Sequence, residues 1–156
     1  MLSIPSITIL FEALNNRQSL RNFNDSISVD DHIVSQSLWA CYGFNDLKHR
    51  TVPSSRNWYP LLIYVFLEEG VYLYDPKQNT LTMVLTGDYR KVTGTQAFAA
   101  KARINYVIVA DFDKKSTLDG DDDHKKRSLY METGHCAMAL SLYAASEGMK
   151  GVDRAM

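Results

Sequence analysis

Two guanidiniums and a hydroxyl stand close together at Arg17, Ser19 and Arg21, followed by Asn22 and Phe23. A guanidinium presents a planar fork of N–H donors that fits the oxygens of a phosphate, and Ser19 adds a neutral donor. On a bend or at a helix end the three side chains can converge on one anion; the alternative is a solvated basic turn. A second polar stretch, Arg50-Thr51-Val52-Pro53-Ser54-Ser55-Arg56-Asn57-Trp58-Tyr59-Pro60, runs directly into the apolar Leu61–Phe66. The familiar catalytic constellations are missing. His32, His49, His124 and His135 are scattered without metal-ligand spacing. His135 reads as a core or interface histidine inside a helix. No Ser-His-Asp or Cys-His arrangement stands out, Ser54 lacks the glycines of a nucleophile elbow, and no glycine-rich dinucleotide or phosphate loop is present. The triplet Asp121-Asp122-Asp123 lacks the alternation of a calcium loop, which makes a bound cation the less favoured reading.

These residues must be positioned by secondary structure. Ile7 to Asn15 has helical apolar spacing, with Pro5 suited to its first turn, so Arg17–Phe23 follows a short helix. Asn24 and Asp25 predict a turn. A second helix is expected over 29–44, capped by Ser28, with Asp30 and Asp31 in the first turn and Gly43 at its end. Its inner face is expected to carry Ile33, Ser37, Ala40, Cys41 and Phe44. The polar stretch up to Asn57 is loop, and 59–67 is continuously apolar, as a buried central strand would be. After a turn at Gly70, the alternation in 71–74 and 80–85 around Asp75-Pro76-Lys77-Gln78-Asn79 predicts a hairpin. Residues 88–102 read as a helix broken near Gly94, and 104–112 as a second buried strand. The charged stretch 114–126 has the composition of a mobile loop. A long helix then runs over 128–149 with a stripe at Leu129, Ala137, Leu140 and Ala144. Its many small residues suit either an interface or a plain buried helix. The sum is an α+β domain with a central mixed, mainly antiparallel sheet flanked by helices.

The chain of 156 residues suits one domain and buries a substantial core. Apolar residues make up 46% and charged residues 22%, an ordinary globular composition. A net charge of -1 argues against nucleic acid as a partner. Cys41 and Cys136 each fall in an apolar helical pattern and are expected as buried thiols in a reducing compartment. No apolar run reaches the length of a membrane span, and the N-terminal residues lack the pattern of a secretory signal. The expected location is the cytoplasm.

The ordered pair of motifs resembles the FMN-dependent nitroreductase superfamily. That family opens with Arg-x-Ser-x-Arg/Lys-x-Phe, matched by Arg17, Ser19, Arg21 and Phe23. It then carries Pro-Ser-x-x-Asn-x-x-Pro before its first central strand, matched by Pro53, Ser54, Asn57 and Pro60. Thr51-Val52-Pro53-Ser54 and the hairpin from Glu69 to Pro76 look most like the branch that holds the SagB-type, azoline-oxidising dehydrogenases. The resemblance implies a dimer-forming nitroreductase-like fold and an FMN-dependent oxidoreductase. Such an enzyme passes a hydride from NADH or NADPH through FMN to a nitroaromatic, quinone or other small acceptor by a ping-pong mechanism. It implies that Arg17, Ser19 and Arg21 hold the phosphate and ribityl tail. Pro53, Ser54 and Ser55 would shape the loop beside the isoalloxazine, and Asn57 would hydrogen-bond the ring or the ribityl chain. The segment Gly151 to Arg154, with Gly151 and Asp153 as its candidates, would present a backbone N–H to flavin N5. The chemistry then belongs to the cofactor, and no acid–base pair need be spelled out in the chain. Tyr42, Trp58, Tyr59, Tyr72 and Tyr74 are available for stacking on a planar ring or for core packing.

Three departures qualify the resemblance. Met138-Ala139 stands where family members often carry Gln-Asn. Arg56, Trp58 and Tyr59 are bulkier than the family's usual loop residues. The single domain spanning residues 1–156 is expected to lack the family's C-terminal strand segment. These departures motivate a second reading, a flavin-free or catalytically inactive relative acting as a binding or regulatory subunit.

Overall fold

The structure, a computed structural model, describes residues 9–23, 28–45, 49–114 and 121–154. Its sheet has four strands, β1 (Leu61–Phe66), β2 (Gly70–Asp75), β3 (Thr80–Thr86) and β4 (Asn105–Ala110). They lie in the order β3-β2-β1-β4, and all three pairings are antiparallel. β1 is central as expected, with Leu61 opposite Ala110 and Phe66 opposite Asn105. Its burial alternates, with Leu61, Ile63 and Val65 inside and Leu62, Tyr64 and Phe66 only half-buried. Alternation is what an antiparallel sheet with one packed face produces; the unbroken apolar run had suggested burial on both faces.

Three helices accompany the sheet: α1 (Ile9–Asn16), α2 (Asp31–Tyr42) and α3 (Asp122–Ser146). The core joins Val34, Leu38, Cys41 and Tyr42 of α2, Ile63 and Val65 of β1, Tyr74 of β2, and Leu129 and Cys136 of α3. Both cysteines are free and fully buried. A hydrogen bond with the Cys136 thiol, together with burial, holds the Cys41 thiol well above its ordinary pKa.

Several expectations are corrected. Asp30, not Ser28, caps α2: its carboxylate accepts the Ile33 N–H at 2.9 Å. The buried face of α2 runs through Val34, Ser37, Leu38, Cys41 and Tyr42, while Ile33 and Ala40 are only half-buried. On α3 the fully buried face runs through Ser128, Leu129, Glu132, Cys136 and Ala145, while Ala137, Leu140 and Ala144 are half-buried. α3 also begins earlier than the charge pattern suggested. Asp121 caps it by accepting the His124 N–H at 2.9 Å, so most of the acidic triplet forms a helix start, where the dipole favours negative charge. Gly70 opens β2 and is not the turn itself. The helix expected over 88–102 is two short 3₁₀ turns, Arg90–Thr93 and Ala97–Lys101. Gly94 separates them, and Arg90 straps the first by donating to Asp88 and to the Ala102 carbonyl. His135 is exposed in the single chain, not in its core. Pro5 and Ile7, the Asn24-Asp25 turn and residues 115–120 of the charged stretch lie outside the described residues.

Candidate functional site

α1 ends where the arginine motif begins, with the Arg17 N–H reaching the Ala13 carbonyl at 2.9 Å. The chain then runs extended alongside the segment that follows α3. Ser19 and Gly151 form an isolated parallel bridge, and the Leu20 N–H donates to the Gly151 carbonyl at 3.0 Å. Gly148, at φ 70, turns the chain out of α3, and Lys150 Nζ donates to the Asn16 carbonyl at 3.2 Å. Residues from the two ends of the sequence thus form one cluster. In it Ser19 and Arg21 are exposed and Arg17 is half-buried. A Cβ built on Gly151 would meet nothing within 4 Å, so the backbone there can be approached closely. Asp153 faces Arg17. The residue is exposed overall, but protein crowding around its carboxyl outweighs the opposing pull of the Arg17 charge, and its pKa lies above the ordinary value.

Arg154 fixes this segment from behind. Its guanidinium donates to the Thr93 carbonyl at 3.1 Å and lies 5.1 Å from the centre of the Phe98 ring, which meets Phe23 edge-on at 5.9 Å. It also passes so close to Gly94 that a Cβ there would lie 1.8 Å from Nη1. Gly94 therefore has a steric reason, since its backbone is extended.

A second cluster surrounds the loop before β1. Glu132, only 3% exposed on the inner face of α3, accepts the Ser54 hydroxyl at 2.8 Å and the Ser55 N–H at 3.1 Å. Ser54 Oγ in turn accepts the Tyr59 N–H at 3.0 Å. Between these anchors Arg56, Asn57 and Tyr59 all adopt positive φ, at 52°, 58° and 48°. Non-glycine residues held there store strain of roughly 1 kcal/mol or more each. The Tyr59 hydroxyl donates to Asn57 Oδ1 at 3.2 Å. Arg50 closes the far side, its guanidinium 4.1 Å from the Tyr42 ring centre, 4.5 Å from Phe44 and 4.8 Å from Tyr59. Its Nη1 donates to the Tyr42 carbonyl, and the three ring faces attract the partly desolvated charge. Tyr42 and Tyr74 are buried packing groups, bonded to Leu61 N–H and Asn79 respectively.

The two clusters lie at opposite ends of the sheet. The Ser54–Tyr59 loop enters β1 at Leu61, whereas the turns that hold Arg154 lead into β4 at Asn105, opposite Phe66. Along α3, Glu132 stands about 20 Å from the helix end at Ser146, at a rise of 1.5 Å per residue. The residues marked in the sequence therefore gather into two sets within one chain. Arg17, Ser19, Gly151 and Asp153 form one; Ser54, Ser55 and Asn57 form the other.

The profile of the nitroreductase family matches residues 14–152. This chain belongs to the nitroreductase family. It is 32% identical over 155 residues to a candidate nitroreductase of Methanocaldococcus jannaschii, covering 92% of this chain and 77% of that protein. A crystal structure of a candidate nitroreductase from Ralstonia eutropha JMP134 superposes with a TM-score of 0.81 at 30% identity, over 95% of this chain and 70% of the other. A chain of the E. coli microcin synthetase McbBCD complex with truncated pro-MccB17 bound gives 0.69 at 21% identity, over 95% of this chain and 62% of that one. At that identity the likeness speaks for the fold alone. Membership in the family implies flavin-dependent oxidoreductase chemistry, and the α+β fold is the family's. No described helix is long and apolar enough to cross a membrane. No group of three or more His, Cys, Asp or Glu among the described residues could hold a metal ion.

Sequence reasoning gives Glu132 no assigned part, though it carries a readable signal: an acid three residues after Leu129 and four before Cys136, inside the buried face of a helix. The contact of Arg154 with Gly94 and Thr93 has no such signal, because the partners are distant in the chain.

Proposed function

We propose that the chain, residues 1–156 taken as one nitroreductase-like domain, is a cytoplasmic FMN-dependent oxidoreductase acting as a homodimer. NADH or NADPH is its reductant, and a nitroaromatic, a quinone or another small molecule is its acceptor, the two alternating in one pocket in a ping-pong cycle. The observation that carries this reading is the bridge between Ser19 and Gly151. It brings the phosphate-type donors beside a glycine backbone that a planar ring can approach. The donor set fits FMN: Arg17, Ser19 and Arg21 suit its phosphate and ribityl tail, and the Gly151–Asp153 backbone suits flavin N5. Pro53, Ser54, Ser55 and Asn57 suit the other side of the ring. Bound flavin supplies two-electron redox chemistry, and the chain supplies position and electrostatics. The Arg17 and Arg21 charges would offset that of the phosphate, and a backbone N–H of the Gly151–Asp153 segment would offer a fixed dipole toward N5.

The separation of the two clusters supports a dimer in which the loop of one copy faces the Gly151 segment of the other. The test is the visible absorption spectrum of the purified protein, before and after anaerobic NADH or NADPH. A flavin spectrum that bleaches is the expected result. A colourless protein that takes up no added FMN would overturn the reading in favour of the flavin-free relative.

A further inference from the structure

We infer that Glu132 is a positioning residue, a buried carboxylate whose hydrogen bonds hold the 54–59 loop in the strained shape that meets the cofactor. The inference rests on the functional reading above. A carboxylate on the inner face of a helix, among Leu129, Cys136 and β1, loses its hydration and is retained only where it is well satisfied. Here it accepts the Ser54 hydroxyl and the Ser55 N–H of the loop, with the Ser128 hydroxyl at 3.5 Å on its own helix. Ser54 and Ser55 precede the residues of positive φ. Ser54 carries the restraint forward, because its oxygen receives the N–H of Tyr59, the last of them. Arg56, Asn57 and Tyr59 have no glycine to ease their backbone, so the loop would relax if its ends were released. The Arg50 guanidinium, over the Tyr59 ring, holds the same residue from the other side. A loop fixed before the ligand arrives avoids an ordering cost on binding, which raises affinity without adding a contact. Glu132 thus acts on the cofactor through Ser54, Ser55 and Asn57.

The experiment uses the full chain, with amide hydrogen exchange in the absence of flavin and an FMN titration of the same samples. In Glu132→Ala the Ser55 and Tyr59 amides should both exchange at least about ten-fold faster, while the β1 amides stay protected. In Ser54→Ala the Tyr59 amide should loosen and the Ser55 amide, still held by Glu132, should not. FMN should bind Glu132→Ala roughly ten-fold or more weakly, with Glu132→Gln, which keeps one acceptor oxygen, in between. A merely structural role would loosen β1 together with the loop, and that result overturns the proposal. So does an unchanged Ser55 amide in Glu132→Ala, or a loosened loop that binds FMN as tightly as wild type. If Glu132→Ala does not fold, Glu132→Gln and Ser54→Ala decide by the same pattern. If wild type itself takes up no FMN, the functional reading has failed, and the clamp is judged on the amides alone.

Discussion

At the level of single residues, the arginine motif illustrates how position converts an ordinary basic pair into a site. Ser19 is fixed by its bridge to Gly151, so Arg17 and Arg21, two positions to either side, project from a backbone that is already tied down. Asp153 faces Arg17, and its raised pKa marks a carboxyl that the surroundings desolvate more than the neighbouring cation stabilises. On the proposed reading an arriving phosphate would meet Arg17, which faces Asp153, and Arg21, which stands exposed. Arg21→Ala should weaken FMN binding by about 1.5–3 kcal/mol, the loss of one charge-assisted contact. Fluorescence titration of FMN against both proteins measures this. Retained wild-type affinity would reduce Arg21 to a surface charge.

At the level of elements, the segment after α3 shows what a linear reading recovers and what it misses. Continuous apolar runs place β1 and β4, and alternation places the hairpin of β2 and β3, because strands carry their own pattern along the chain. The long helix was likewise expected, though its acidic start was taken for loop, since three adjacent aspartates resemble a solvated tract until one of them caps a helix. The 88–102 stretch was misread because its spacing suits a helix, while its actual shape is set by Arg90 strapping it to Asp88 and Ala102. Those partners are tertiary and leave no periodic trace. The same holds for Gly94, whose missing side chain makes room for Arg154. Arg154→Ala should cost about 1–2 kcal/mol in urea unfolding, through the lost bond to the Thr93 carbonyl and the lost ring contact. Gly94→Ala should destabilise by a similar amount, because the new methyl displaces the guanidinium. The double variant should be no worse than Arg154→Ala alone, since both changes remove one interaction. Additive losses would show that Gly94 matters for another reason.

At the level of the whole molecule, the two clusters and the exposed apolar surface ask for the same answer. Two residues of one motif set cannot serve one small cofactor from opposite ends of a sheet. In the proposed dimer, a second copy related by a two-fold axis would present each loop to the other copy's Gly151 segment, since such an interface uses the same patch twice. The single chain leaves Ile9 81%, Leu10 57%, Tyr130 73% and Met131 64% exposed on α1 and α3, two helices that pack against each other. An apolar patch of this kind marks an interaction surface. Met131→Glu tests the pairing selectively. In an isolated chain the new carboxylate would sit in water and cost little, whereas across an apolar interface it would be buried without a partner. Wild type should sediment as a dimer at micromolar concentration and bind FMN. Met131→Glu should sediment as a folded monomer, with unchanged far-ultraviolet circular dichroism and FMN affinity lowered at least about ten-fold, because half of each site would then be missing. A wild-type monomer that binds FMN fully would instead require the Arg17–Gly151 cluster to hold the cofactor alone, and the Ser54–Asn57 loop would lose its assigned part in the site.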